Sequence, residues 1–165
     1  MTLDDKAITR GREDLMGRAV ALSAEKMRSG LGGPFGCVIA RGGEIVAEGS
    51  NEVTSANDPT AHAEVVAIRE ACRKLGTFNL EGCELYTSCE PCPMCLGAIY
   101  WARLDRVYYA NTRGDAAAIG FDDDHIYREL DKPIGDRAVP FIQMASPEAR
   151  QIFREWMEKT DKIPY

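Results

Sequence analysis

Nowhere in the 165 residues do about 18 apolar residues run together, and the opening segment MTLDDKAITRGRED carries no apolar stretch of the kind a secretory leader needs. Both absences argue against export and membrane spanning, and predict a cytoplasmic protein with no membrane partner. An excess of basic charge is also missing: 26 acidic residues against 20 basic ones give a net charge of −6. The phosphate attraction that dominates nucleic-acid affinity therefore has no footprint, and a small neutral partner fits better. There is no low-complexity tract, linker or repeat with a period of about 20 to 50 residues. A single domain over 1–165 is expected, with residues 1–9 as a polar N-terminal extension. Hydrophobic residues at 45% and charged residues at 28% suit one core that buries roughly two thirds of the unfolded surface without disulfides.

What the chain does have is six cysteines. In a chain without a leader they stay reduced, and their clustering points to metal binding or catalysis. From about Thr9 to Met27, Met16, Val20, Ser23 and Met27 fall at helical spacing beside Leu15, Ala19 and Leu22, with Gly30 closing the helix. GLGGPFG leads into CVIAR, a turn at Gly42 and Gly43, and EIVAEGSNEV, a hairpin with Asn51 at its far end. Asp58 or Thr60 caps a helix from about His62 to Leu75, whose inward stripe is Val65, Ile68, Cys72 and Leu75. CELYTS reads as a strand, CPMCLGAIYWA as an apolar and therefore buried helix, and RVYYAN as a strand. A helix over DDHIYREL, a strand over VPFIQM and a helix from Pro147 to about Lys159 follow. This order implies a mixed sheet covered by helices on both faces.

Two short motifs carry chemistry: HAE at His62 to Glu64, and PCPMC at Pro91 to Cys95, each at a strand-to-helix turn. Pro91 keeps Glu90 extended, so Cys92 and Cys95 become neighbours in the first turn of the next helix, where the positive helix end favours thiolates. Two thiolates and the imidazole of His62 leave a tetrahedral Zn2+ one open position, the pattern of a catalytic site. Zinc lowers the pKa of a water in that position to about 7, and Glu64, close to the ligands but not one itself, is placed to shuttle protons. Cys89 ends the preceding strand on the face of Cys83, Leu85 and Thr87, and is expected not to be a ligand. Cys37, Cys72 and Cys83 read as small buried hydrophobes.

The H-x-E and P-C-x-x-C pair is the signature of zinc-dependent base deaminases. Through GGPFG, NDPTAHAEVVAIREAC, LYTSCEPCPMCLGAIYWAR and GFDDDHIYREL, and on to the terminal tyrosine, the chain resembles the small zinc-dependent guanine deaminases of the cytidine-deaminase-like superfamily. The resemblance implies an α/β fold, a three-layer α/β/α sandwich with a five-stranded mixed sheet, a homodimer, and hydrolytic conversion of the purine base guanine to xanthine and ammonia. By the same resemblance His62, Cys92 and Cys95 are the zinc ligands and Glu64 the proton shuttle. Asn51 and Asp123 hydrogen-bond the purine, and Phe35, Ala63 and Tyr165 complete the substrate site.

Blander readings remain beside it. Cys89 could join His62, Cys92 and Cys95 in a closed structural site, and the even spacing of the cysteines resembles the start of a ferredoxin run, although Ile99 occupies the fourth position of that run. The Asp122 to Asp124 run also reads as a solvated helix cap, and Trp101 as core or dimer interface. Guanosine, cytosine and tRNA adenosine deaminases share the motifs, and a zinc-binding module without activity would share the fold.

Overall fold

The computed structural model describes residues 3–121 and 123–165. It separates into two units, one ending at Asp124 and one spanning His125–Tyr165. In the first unit a hairpin forms where the sequence places it: β1 (Gly36–Arg41) pairs antiparallel with β2 (Glu44–Ser50) across the Gly42–Gly43 turn, with a register shift between Ile39 and Ala40. β1 also pairs antiparallel with β3 (Cys83–Cys89), which pairs parallel with β4 (Arg106–Asn111), so the mixed sheet has the order β2-β1-β3-β4.

Alternation along β1 divides the core. Val38 and Ala40, with Tyr86 of β3, point to one face and are covered by Leu15, Ala19 and Leu22 of the first helix, α1 (Leu3–Arg28). This stripe, and not Val20 or Met27, is the buried one; those two are exposed. The polar extension expected at the N-terminus is helical from Leu3, and residues 1 and 2 lie outside the described residues. Cys37 and Ile39, with Cys83 and Leu85, point the other way, toward Ala67, Ile68 and Ala71. These belong to α3 (Ala63–Leu75), which follows a one-turn helix, α2 (Val53–Ala56). Ile99 of α4 (Pro93–Trp101) completes that layer.

Two expectations need correction here. In α4 the buried residues are only Cys95 and Ile99, while Tyr100 and Trp101 are 75% and 67% exposed in the single chain, so its apolar composition does not make it a buried helix. Asp58 and Thr60 do not cap α3. Thr60 donates from both its N–H and its hydroxyl to Asp58 Oδ1 (2.8 and 2.7 Å), a turn to which Arg69 of the helix donates from its side chain, and the N-cap is His62.

After β4, α5 (Arg113–Ala118) starts with a reciprocal capping box between Thr112 and Asp115. α6 (Asp124–Asp131) starts at the last residue of the first unit, and the second unit also contains a 3-10 turn at Ile134–Asp136 and α7 (Pro147–Glu158), whose N-cap Ser146 accepts from the Ala149 N–H. The segment VPFIQM, expected as a strand, is irregular, and the sheet of the described residues has four strands, not five. Alternating apolar residues make a strand only when an edge is there to pair with, and within this unit there is no other strand among the described residues. No helix of the described residues is long and apolar enough to cross a membrane.

Gly49 shows how closely β2 sits against α3. A Cβ there would lie 2.2 Å from the Ala63 carbonyl oxygen and 2.6 Å from the Ala67 nitrogen. Gly49→Ala is expected to lower stability in urea unfolding by about 1–3 kcal/mol. Gly17→Ala on α1, where nothing lies within 4 Å, should raise it by about 0.5–1 kcal/mol.

Candidate active site

Two helix starts face each other. His62 and Cys92 are the N-cap residues of α3 and α4; both have extended backbone and neither makes a side-chain capping bond. Their carbonyls still accept the first helical bonds, from Val66 (2.9 Å) and Leu96 (2.8 Å). Pro93 occupies the first helical position of α4, where the missing N–H costs nothing. The side chains that would normally cap are turned instead toward each other. His62 Nδ1 stands 3.5 Å from Cys92 Sγ and 3.6 Å from Cys95 Sγ, and the two sulfurs are 3.6 Å apart.

These spacings test the fit of a metal. A tetrahedral zinc with bonds of about 2.3 Å to sulfur and about 2.0 Å to nitrogen has S···S and S···N edges of roughly 3.8 and 3.5 Å. The three donor atoms already stand at nearly those separations, and two soft sulfurs with one imidazole are a donor set that suits Zn2+. Among the described residues His62, Cys92 and Cys95 form the one such group of potential ligands. Cys89 Sγ points elsewhere, toward the Thr112 carbonyl (3.6 Å).

The charges inside the site are strongly coupled. The contact between the two sulfurs, reinforced by His62, holds the Cys92 thiol well below the usual thiol range, while the contact with Cys92, burial and the Glu64 charge push Cys95 up. The pair thus loses its first proton readily and its second only against a compensating cation. His62 is raised chiefly by its contact with Cys92. Burial and the Glu64 charge push Cys89 up to about 11, which leaves it a neutral thiol.

Glu64, in the first turn of α3, is 6% exposed. Burial raises its pKa against the opposing pull of its own backbone N–H, Cys95 and Thr87. Cys95 Sγ donates to Oε2 (3.3 Å) and Thr87 Oγ1 to Oε1 (3.1 Å), so each oxygen of the carboxylate has its own donor.

A cavity of about 380 Å3 opens over this cluster and is lined by His62, Glu64, Cys92, Asn51, Phe35 and Asp123, all expected from the sequence. Asn51, buried at the end of β2, accepts long bonds at Oδ1 from Gly33 and Val53 N–H (3.4 Å each). With Oδ1 so occupied, Nδ2 has no partner among the described residues. Gly32 leaves room for this arrangement, since a Cβ there would collide with the Asn51 carbonyl. Phe35 meets Phe121 edge-on, with ring centroids 4.8 Å apart and planes at 89°.

The Ala63 methyl is fully buried in the core and is not among the cavity's lining residues, and Tyr165 belongs to the second unit, 70% exposed in the single chain. Asp122 lies outside the described residues. Sequence reasoning missed Thr87, Phe121 and the fact that Cys89 lines the cavity. The signal for Thr87 was a hydroxyl on the inward face of a strand whose other inward residues are Cys83, Leu85 and Cys89.

The comparisons with known proteins agree with this geometry. The cytidine and deoxycytidylate deaminase zinc-binding region matches residues 9–111. The chain is 55% identical over 153 residues to the guanine deaminase of Bacillus subtilis, covering 93% of this chain and 98% of that protein. The crystal structure of a Bacillus subtilis guanine deaminase superposes with a TM-score of 0.90 at 55% identity, again over 93% and 98% of the two chains. A tRNA-specific adenosine deaminase of Aquifex aeolicus is 37% identical over 131 residues, 76% of this chain and 81% of that one. With more than half of the chain matched by the family's zinc-binding region, and the metal donors standing inside the matched residues, this protein belongs to the cytidine and deoxycytidylate deaminase family.

Proposed function

We propose that this protein hydrolyses guanine to xanthine and ammonia. The observation that carries the reading is the buried carboxylate of Glu64 set against the His62, Cys92 and Cys95 donors at one wall of the cavity. It is supported by the 55% identity, nearly end to end, to a guanine deaminase.

His62, Cys92 and Cys95 would hold the zinc, which when bound makes a nucleophile available from water at neutral pH. Glu64 takes a proton from the attacking water and gives it to the ring nitrogen next to the amino-bearing carbon. It then takes the proton left on the added oxygen and gives it to the amine as the C–N bond breaks, so guanine and water become xanthine and ammonia. Burial suits Glu64 to both tasks, because a raised pKa makes it a stronger base and keeps its conjugate acid within reach of neutral pH.

Asn51 orients the base through its unpaired Nδ2, a donor for a ring acceptor or carbonyl. The Asp123 carboxylate accepts from an imidazole N–H of the free base, and Phe35, held edge-on by Phe121, gives an apolar wall. Ala63 contributes through its backbone N–H, which at the first position of α3 has no intrahelical partner. Tyr165 contributes to substrate binding; deleting it should raise KM or lower kcat. The exposed Leu96, Tyr100 and Trp101 of α4 support a homodimer, and six free cysteines suit the reducing cytoplasm.

A ribose at N9 would remove an imidazole donor and add bulk, so guanosine should be turned over poorly, and a net charge of −6 speaks against an RNA substrate. An absorbance assay in which guanosine is the faster substrate would refute this. Glu64→Gln should lower kcat on the order of a thousandfold with the metal retained. Cys92→Ala and Cys95→Ala should lose the metal, whereas Cys89→Ala should keep one zinc per chain by elemental analysis; metal loss from the Cys89 variant would restore the closed structural site.

A further inference from the structure

We propose that Thr87 is the positioning residue for Glu64, fixing which carboxylate oxygen moves protons. The inference rests on the deaminase reading above and deepens it. β3 sends Cys83, Leu85, Thr87 and Cys89 toward the face covered by α3 and α4, and Thr87 is the one hydroxyl in that row. Its side chain is buried to 1% exposure, where a hydroxyl needs a partner, and its partner is Glu64 Oε1 at 3.1 Å.

The two oxygens of Glu64 are therefore not equivalent. Oε2 lies beside Cys95 Sγ at 3.3 Å, on the side of the metal donors, and Oε1 lies on the side of the strand. When Cys95 serves as a thiolate ligand it has no proton to donate, and its hold on Oε2 is released. Among the described residues the Thr87 hydroxyl is then the side-chain donor that remains to Glu64. It anchors Oε1 and leaves Oε2 directed at the metal side, free to accept and return a proton. A β-strand is a suitable place for this anchor: β3 is an interior strand, paired with β1 and β4, so the hydroxyl is held on a rigid element and not on a loop.

Two substitutions separate positioning from packing. Thr87→Val keeps the branched shape but leaves no donor, and Thr87→Ser keeps the donor but removes a methyl. In zinc-loaded protein of full length, Thr87→Val is expected to lower kcat for guanine about ten- to a hundredfold, the scale of a misplaced catalytic group. KM should stay within about twofold and zinc at one per chain, because neither substrate contacts nor metal ligands change. Thr87→Ser should recover most of the rate even though it is the variant that opens a cavity. A purely structural residue would give the reverse order, with Val tolerated and Ser impaired. Equal kcat for wild type and Thr87→Val, or a defect in KM alone, overturns the proposal while wild-type turnover leaves the deaminase reading standing. A zinc-loaded wild type that does not convert guanine overturns both.

Discussion

The whole site depends on one constraint: α3 and α4 begin side by side, so the two residues that end their preceding loops, His62 and Cys92, meet across the gap. N-cap positions are normally filled by Ser, Thr, Asp or Asn, whose oxygens satisfy an otherwise unpaired N–H. Here both are filled by side chains that make no capping bond. Each helix forgoes roughly 1 kcal/mol of capping stability, and in exchange an imidazole nitrogen and two sulfurs come within 3.6 Å of one another. The packing that holds the helices there is tight and local. Gly49 lets β2 lie directly on the first turn of α3, and β3 delivers the chain through Pro91 and Cys92 into α4.

Around that meeting point the electrostatics form a single coupled unit. Two thiols, one imidazole and one buried carboxylate share a space where each negative charge raises the cost of the next. Such a cluster is poorly balanced without a cation and well balanced with a dication, and for this reason the donor set argues for metal more strongly than any single residue does. The same burial that unsettles the carboxylate equips it for proton transfer. Stability given up at the caps and in the buried charge is thus the source of the chemistry, as expected when local rules are broken at a functional site.

Much of this was legible in the sequence, and what escaped had physical reasons. The short segments CVIAR, EIVAEGS, CELYTS and RVYYAN marked β1 to β4, and the H-x-E and P-C-x-x-C spacing singled out His62, Cys92 and Cys95, which the fold brings together. The helices α2 and α5, of four and six residues, are too short to show a period. The caps were misassigned because Asp58 and Thr60 look like caps and His62 does not; only the partnering across space shows why. α4 looked buried because it is apolar, but burial requires a covering surface, and in the single chain Tyr100 and Trp101 are 75% and 67% exposed. VPFIQM failed as a strand for a related reason, the lack of an edge within its own unit. Thr87 could be seen only once its hydroxyl was placed against Glu64.

The most direct test of the central claim is to incubate the zinc-loaded protein with guanine in 18O-labelled water and follow base, oxygen and nitrogen together. One xanthine and one ammonia are expected for each guanine consumed, with a single labelled oxygen at the carbon that carried the amino group. Guanine left intact by fully metallated protein, or xanthine formed without the label, would contradict it.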